Sequence, residues 1–149
     1  MKITITTEPG CDETEINVKC GRLDDDVEKL LAALRMLDMK LSGSRDGKQF
    51  ILEIKEIIYI DSVDRRTFLY TAAGVFQSSL RLYELELKLT ECDFLRVSKN
   101  CIINMNHIIS IEPDFDRRLI LTMTGNIILP VSRQYAITVK ERLEAQYEK

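Results

Sequence analysis

From residue 46 onward the chain is built of short apolar–polar runs, each closed by a polar turn. Residues 50–54, 57–62, 67–72 and 75–78 are rich in β-branched and aromatic side chains and predict four strands, the last two joined at Ala73-Gly74. Ser79 heads an apolar stripe, Leu82, Leu85 and Leu89, which predicts a helix over residues 80–89. Phe94, Leu95 and Val97 then alternate as a strand and run into the polar turn Ser98-Lys99-Asn100. Ile102-Ile103 draws the chain back into the core, as a short helical or irregular piece through Asn104-Met105-Asn106. Residues 108–111 and 119–123 are expected to pair across the Asp114-Phe115-Asp116-Arg117 loop, and Thr124-Gly125-Asn126 turns the chain into residues 127–131. Ser132 opens a last helix that buries Ala136, Val139 and Leu143, with Tyr147 a further candidate.

The first 44 residues follow a different rhythm. Residues 2–7 and 14–19 each alternate, with Ile3 and Ile5 on one and Ile16 and Val18 on the other, which predicts a two-stranded unit turning at Glu8-Pro9-Gly10-Cys11-Asp12. Asp24, Asp25 and Asp26 offer a helix N-cap, and Asp25 with Glu28 has capping-box spacing. Val27, Leu30, Leu31, Leu34, Leu37 and Leu41 then fall on one helical stripe. Ser42-Gly43-Ser44 marks the expected boundary between a β-β-α unit, residues 1–44, and a second domain, residues 45–149. So small a unit cannot enclose its own helix stripe, so the stripe packs either on the second domain or on another copy of the chain.

Composition narrows the function classes. A chain of 149 residues that is 45% hydrophobic and 30% charged has a packed core. No apolar run reaches membrane-spanning length, and Met1-Lys2-Ile3-Thr4 reads as a strand rather than a signal peptide. The four cysteines form no C-x-x-C pair, and only one histidine, His107, is present, so no metal site or cofactor is expected. The thiols read as reduced, in a cytoplasmic protein. No G-x-S-x-G elbow or Walker sequence supports catalysis or a small-molecule substrate, and the Asp24–Asp26 cluster is explained by helix capping. The net charge of −3 points away from nucleic acid unless cations gather locally. From Asp46 to the end, fourteen Lys/Arg face fifteen Asp/Glu, yet Arg65, Arg66, Lys99, Arg117, Arg118 and Arg133 all fall at predicted turns.

Three blocks change the picture. Ile57-Ile58-Tyr59-Ile60-Asp61-Ser62, Phe94-Leu95-Arg96-Val97-Ser98-Lys99-Asn100-Cys101-Ile102-Ile103-Asn104 and Leu129-Pro130-Val131-Ser132-Arg133-Gln134-Tyr135 stand in this order over residues 47–143. Together they resemble the LytTR family of bacterial DNA-binding domains. That resemblance implies a mainly β fold with short helices (α+β), an elongated antiparallel β domain, here preceded by the β-β-α unit. It implies a bacterial transcriptional regulator that reads promoter DNA from loops, and the first 44 residues are too few for the receiver domain many relatives carry, so none is expected.

Residue by residue, the resemblance places Arg65 and Arg66 on the turn after the first block, Arg96, Ser98 and Lys99 in the central block, and Arg133 at the closing helix. Ser98 stands where the family commonly has histidine. Arg133 is the expected guanine reader, because a guanidinium can bond O6 and N7 together. Arg117 and Arg118 are expected to lie away from the DNA. The expected partners are double-stranded DNA with repeated half-sites, a second copy of the chain in a homodimer, and a regulatory protein, membrane-bound in some single-domain relatives. The competing reading is a protein-interaction module that has lost DNA binding and titrates a partner, favoured by the acidic composition and by Ser98.

Overall fold

In the computed structural model of the chain, residues 1–147 are described, the side chains of Gln146 and Tyr147 excepted, so the expected burial of Tyr147 falls outside the described residues. The expected strands at residues 2–7 and 14–19 are not formed. Ile3, Ile5, Ile16 and Val18 are exposed and pair with no sheet. A two-stranded ribbon with so few apolar side chains has too little to bury by itself. The first regular element is α1, Asp25–Asp38, and Asp24 caps it by accepting a bond from the amide of Val27 at 3.0 Å.

The buried side of α1 differs from the leucine stripe. Ala32 and Met36, one turn apart, are its buried residues, whereas Leu37 is exposed. The helix ends at Met39, and Leu41 lies beyond it in a strand, buried against Leu52 and Met36 in a shared core. That strand is β1, Lys40–Arg45, which contains the Ser42-Gly43-Ser44 stretch expected as a linker. Gly43 is small because a Cβ there would stand 2.7 Å from the Cβ of Phe76. Its composition reflects close packing and not flexibility.

Nine further strands follow: β2 (Lys48–Glu53), β3 (Ile57–Val63), β4 (Arg66–Thr71), β5 (Gly74–Ser78), β6 (Phe94–Ser98), β7 (Cys101–Asn104), β8 (Ile108–Pro113), β9 (Leu119–Met123) and β10 (Ile127–Val131). The first seven form one antiparallel sheet in the order β2-β1-β5-β4-β3-β7-β6, and the last three form a meander in the order β10-β9-β8. The stretch after the Ser98-Lys99-Asn100 turn is thus a strand and not an irregular piece, and only Met105–His107 coils into a 3-10 turn. Ile102 and Ile103 are both buried because β7 lies between two cores, one on each face of the large sheet.

On one face, helix α2 (Leu82–Lys88) sends Leu82 and Leu85, with Leu89 at its end, onto Ile60, Leu69, Phe76 and Ile102. It begins three residues beyond Ser79, with Glu84 accepting a bond from the amide of Arg81 at 3.1 Å. On the other face, the meander and α3 (Arg133–Tyr147) bury Leu121, Met123, Val131, Ala136 and Val139 against Ile58, Val97 and Ile103.

Two polar residues join the layers. Asn104 is fully buried; its side chain donates to the carbonyl of Ile57 at 3.0 Å and accepts from the amide of Asn106. His107 reaches the carbonyl of Lys55 through Nε2 at 2.7 Å and the hydroxyl of Thr124 through Nδ1 at 2.9 Å. The histidine is therefore a clasp between the large sheet and the meander.

Candidate nucleic-acid interface

Antiparallel pairing decides which loops share an end of the molecule. In the β3–β4 hairpin, Val63 stands opposite Arg66, leaving Asp64-Arg65 as a two-residue turn. Both turn residues have positive φ, 51° and 64°. This is the primed turn that matches strand twist, and it is normally given to Asn or Gly. Arg65 and Arg66 are both exposed at its tip.

The β6–β7 hairpin lies beside it, since β3 also pairs with β7. Ser98 faces Cys101, and Lys99-Asn100 makes the tip. The amide of Ser62, near the end of β3, donates to the carbonyl of Asn100 at 2.9 Å and locks the two hairpin ends together. The Ser98 hydroxyl accepts from the amide of Asn100 at 3.3 Å, while Lys99 is exposed.

The closing block reaches the same place. The Ser132 amide donates to the carbonyl of Val97 at 3.0 Å, and its carbonyl accepts from the amides of Tyr135 and Ala136 as α3 begins. The Ser132 hydroxyl also points at the Val97 carbonyl, at 3.5 Å, rather than at a helix amide. Arg133 is therefore the first residue of α3 and emerges, exposed, next to the Ser98-Lys99 turn.

Arg117 and Arg118, which the sequence reading set apart, lie at this end as well. Leu119 pairs with Val131, so the loop that precedes β9 adjoins the start of α3. Asp116 and Arg117 form another pair of positive-φ residues, 55° and 62°. The alternation of loop ends in a meander was the available signal: the loop before β9 and the exit from β10 must share one end. Together these loops carry Arg65, Arg66, Lys99, Arg117, Arg118 and Arg133 against Asp64, Asp114 and Asp116. The acidic excess lies elsewhere on the chain.

Arg96 is the exception among the expected residues. Its Nε donates to the carbonyl of Ser98 at 2.9 Å, its Nη2 donates to the carbonyl of Lys99, and its Nη1 pairs with Glu86 of α2 at 3.0 Å. Ser98 is half-buried at the base of the same turn. Below the two hairpin tips, Asp61 and Cys101 are cross-strand neighbours. Burial raises the Asp61 carboxyl above its ordinary value, against a backbone bond from Ser62. Burial, with the nearby Asp61 charge, pushes the Cys101 thiol up to about 12, so it is a neutral thiol and no nucleophile.

Among the described residues, no cluster of His, Cys, Asp and Glu could hold a metal ion, and no helix is long and apolar enough to cross a membrane. The LytTr DNA-binding domain family matches residues 47–144. Sensory transduction protein LytT of Bacillus anthracis is 34% identical over 93 residues, which are 62% of this chain but only 38% of that protein. An uncharacterized HTH-type transcriptional regulator of Staphylococcus aureus is 29% identical over 147 residues, covering 96% of this chain and 98% of its own length. A solved LytTr DNA-binding domain from Bacillus cereus shares the fold with a TM-score of 0.67 at 24% identity, over 70% of this chain and 95% of that domain.

Proposed function

The chain belongs to the LytTr DNA-binding domain family, and we propose that, as a DNA-binding transcriptional regulator, it grips duplex DNA with the end that carries the Ser98-Lys99 turn. The observation that carries this reading is the meeting of three separate pieces of chain at the Ser62–Asn100 and Ser132–Val97 bonds. Lys99, Arg65 and Arg66 supply charge for phosphates, Ser98 a hydrogen-bonding group, and Arg133 a fork that fits a guanine edge. Arg117 and Arg118 widen the cationic face beside Arg133. Local gathering of cations answers the objection raised by the acidic composition. The family is one of DNA-binding domains rather than of enzymes, and the interaction-module alternative has no comparable support.

Two copies acting on repeated half-sites complete the proposal. Supporting this are the bare Ile3, Ile5, Ile16 and Leu37, apolar side chains that the chain itself leaves uncovered. Enrichment of duplexes from a random pool by the full chain tests the reading. A common sequence should emerge, bound with an affinity that falls linearly on a log–log salt plot. A pool that stays unenriched at low salt contradicts it.

A further inference from the structure

Arg96 sits in the middle of the block that faces DNA, yet its guanidinium is already committed. It bonds the carbonyls of Ser98 and Lys99 from one side and Glu86 from the other, and its side chain is only 20% exposed. The pairing of β6 with β7 shifts register between Arg96 and Ser98, so the hairpin tip departs from a regular ladder. Arg96 supplies donors to the carbonyls of this irregular tip.

We propose that Arg96 is a positioning residue and not a DNA contact: braced by Glu86 of α2, it holds the Ser98-Lys99 turn so that Lys99 is presented to the duplex. The inference rests on the DNA-binding reading above. Its physical content is a sign. Glu86 is an acid beside a surface meant for phosphates, so on charge alone its removal should tighten binding. If it holds Arg96, and Arg96 holds the turn, its removal should loosen the turn and weaken binding.

The test uses the full-length chain and a duplex enriched by the wild type. Glu86→Ala should weaken binding about tenfold, with the thermal midpoint near that of the wild type. Arg96→Lys keeps the positive charge but loses the fork, and should weaken binding about as much. Both effects should shrink to about twofold when measured in a Lys99→Ala background, because the turn they position has lost its working side chain.

Binding that is unchanged or tighter in Glu86→Ala overturns the inference while leaving the DNA-binding reading intact. So does wild-type affinity in Arg96→Lys, which a direct phosphate contact would give, or a loss equal in both backgrounds. Should Glu86→Ala fail to fold, Arg96→Lys with and without Lys99→Ala decides the matter alone. A wild type that enriches no duplex overturns the DNA-binding reading, and the inference with it.

Discussion

The amide of Ser132 donates to the carbonyl of Val97 at 3.0 Å, across thirty-five residues of chain. This bond sets the first turn of α3 against the base of the β6–β7 hairpin. Arg133 and Lys99 therefore stand on one surface although they belong to different motif blocks. Their chemistry differs, and so should the consequences of losing them. Lys99→Ala should weaken binding to all duplexes alike and make the log–log salt slope shallower by about one unit. Arg133→Ala should lose about 1–3 kcal/mol on the preferred duplex and relax the preference at one base pair. Anisotropy titrations on preferred and scrambled duplexes separate the two, and equal losses on both for Arg133→Ala would remove it from base reading.

Arg65 is held at a φ of 64° in a two-residue turn where glycine would fit without strain. A strained residue at a hairpin tip is a reason to look for a function that keeps it there. Arg65→Gly should stabilise the fold by about 1 kcal/mol and weaken DNA binding at the same time. Thermal unfolding and a binding titration on the same variant check both signs. A variant that gains stability and keeps full affinity would show that Arg65 contacts nothing.

Asp61 gives a pH signature. Its carboxyl is raised in the folded state, first by burial. The charged form therefore opposes folding above the raised value, and this penalty fades as pH falls through it toward the unfolded value of about 3.9. Asp61→Asn should raise the thermal midpoint at neutral pH, with the gain vanishing once both states are protonated. A gain that persists undiminished at low pH would assign it to packing instead.

The uncovered apolar residues before α1 bear on self-association. A chain that begins at Asp24 keeps the helix cap and every strand, whereas one cut at Gly47 would remove β1 from the large sheet. Light scattering should find the full chain paired at tens of micromolar and the shortened chain single. The shortened chain should still bind a single half-site but lose affinity for a double one, since the second domain no longer binds at high effective concentration. Two single species would place the contact elsewhere or exclude it.

Apart from Cys101–Asn104, the strands from Ile57 onward were legible because alternation and turn chemistry agree there, and the Ser98-Lys99-Asn100 turn was visible as polar residues between apolar runs. The first block and the last could be placed on a common surface only by the family pattern, since periodicity carries no information about which loops meet. Two misreadings have specific causes. Ser42-Gly43-Ser44 has linker composition, but Gly43 is there to admit Phe76. The strand Cys101–Asn104 is buried on both faces and so lacks alternation. In the sequence Arg96 reads like the other cations of the motif, and its pairing with Glu86, ten residues upstream on α2, carries no sequence signal.

Amide shifts of the labelled 17.2 kDa chain during titration with its preferred duplex report where on the surface the DNA lies. The largest changes should fall together on residues 64–66, 98–100, 114–118 and 132–134, while the edge strand β2 at the far side of the sheet stays still. Changes centred on β2 or on the residues before α1, with the Ser98-Lys99 turn unmoved, would contradict this placement.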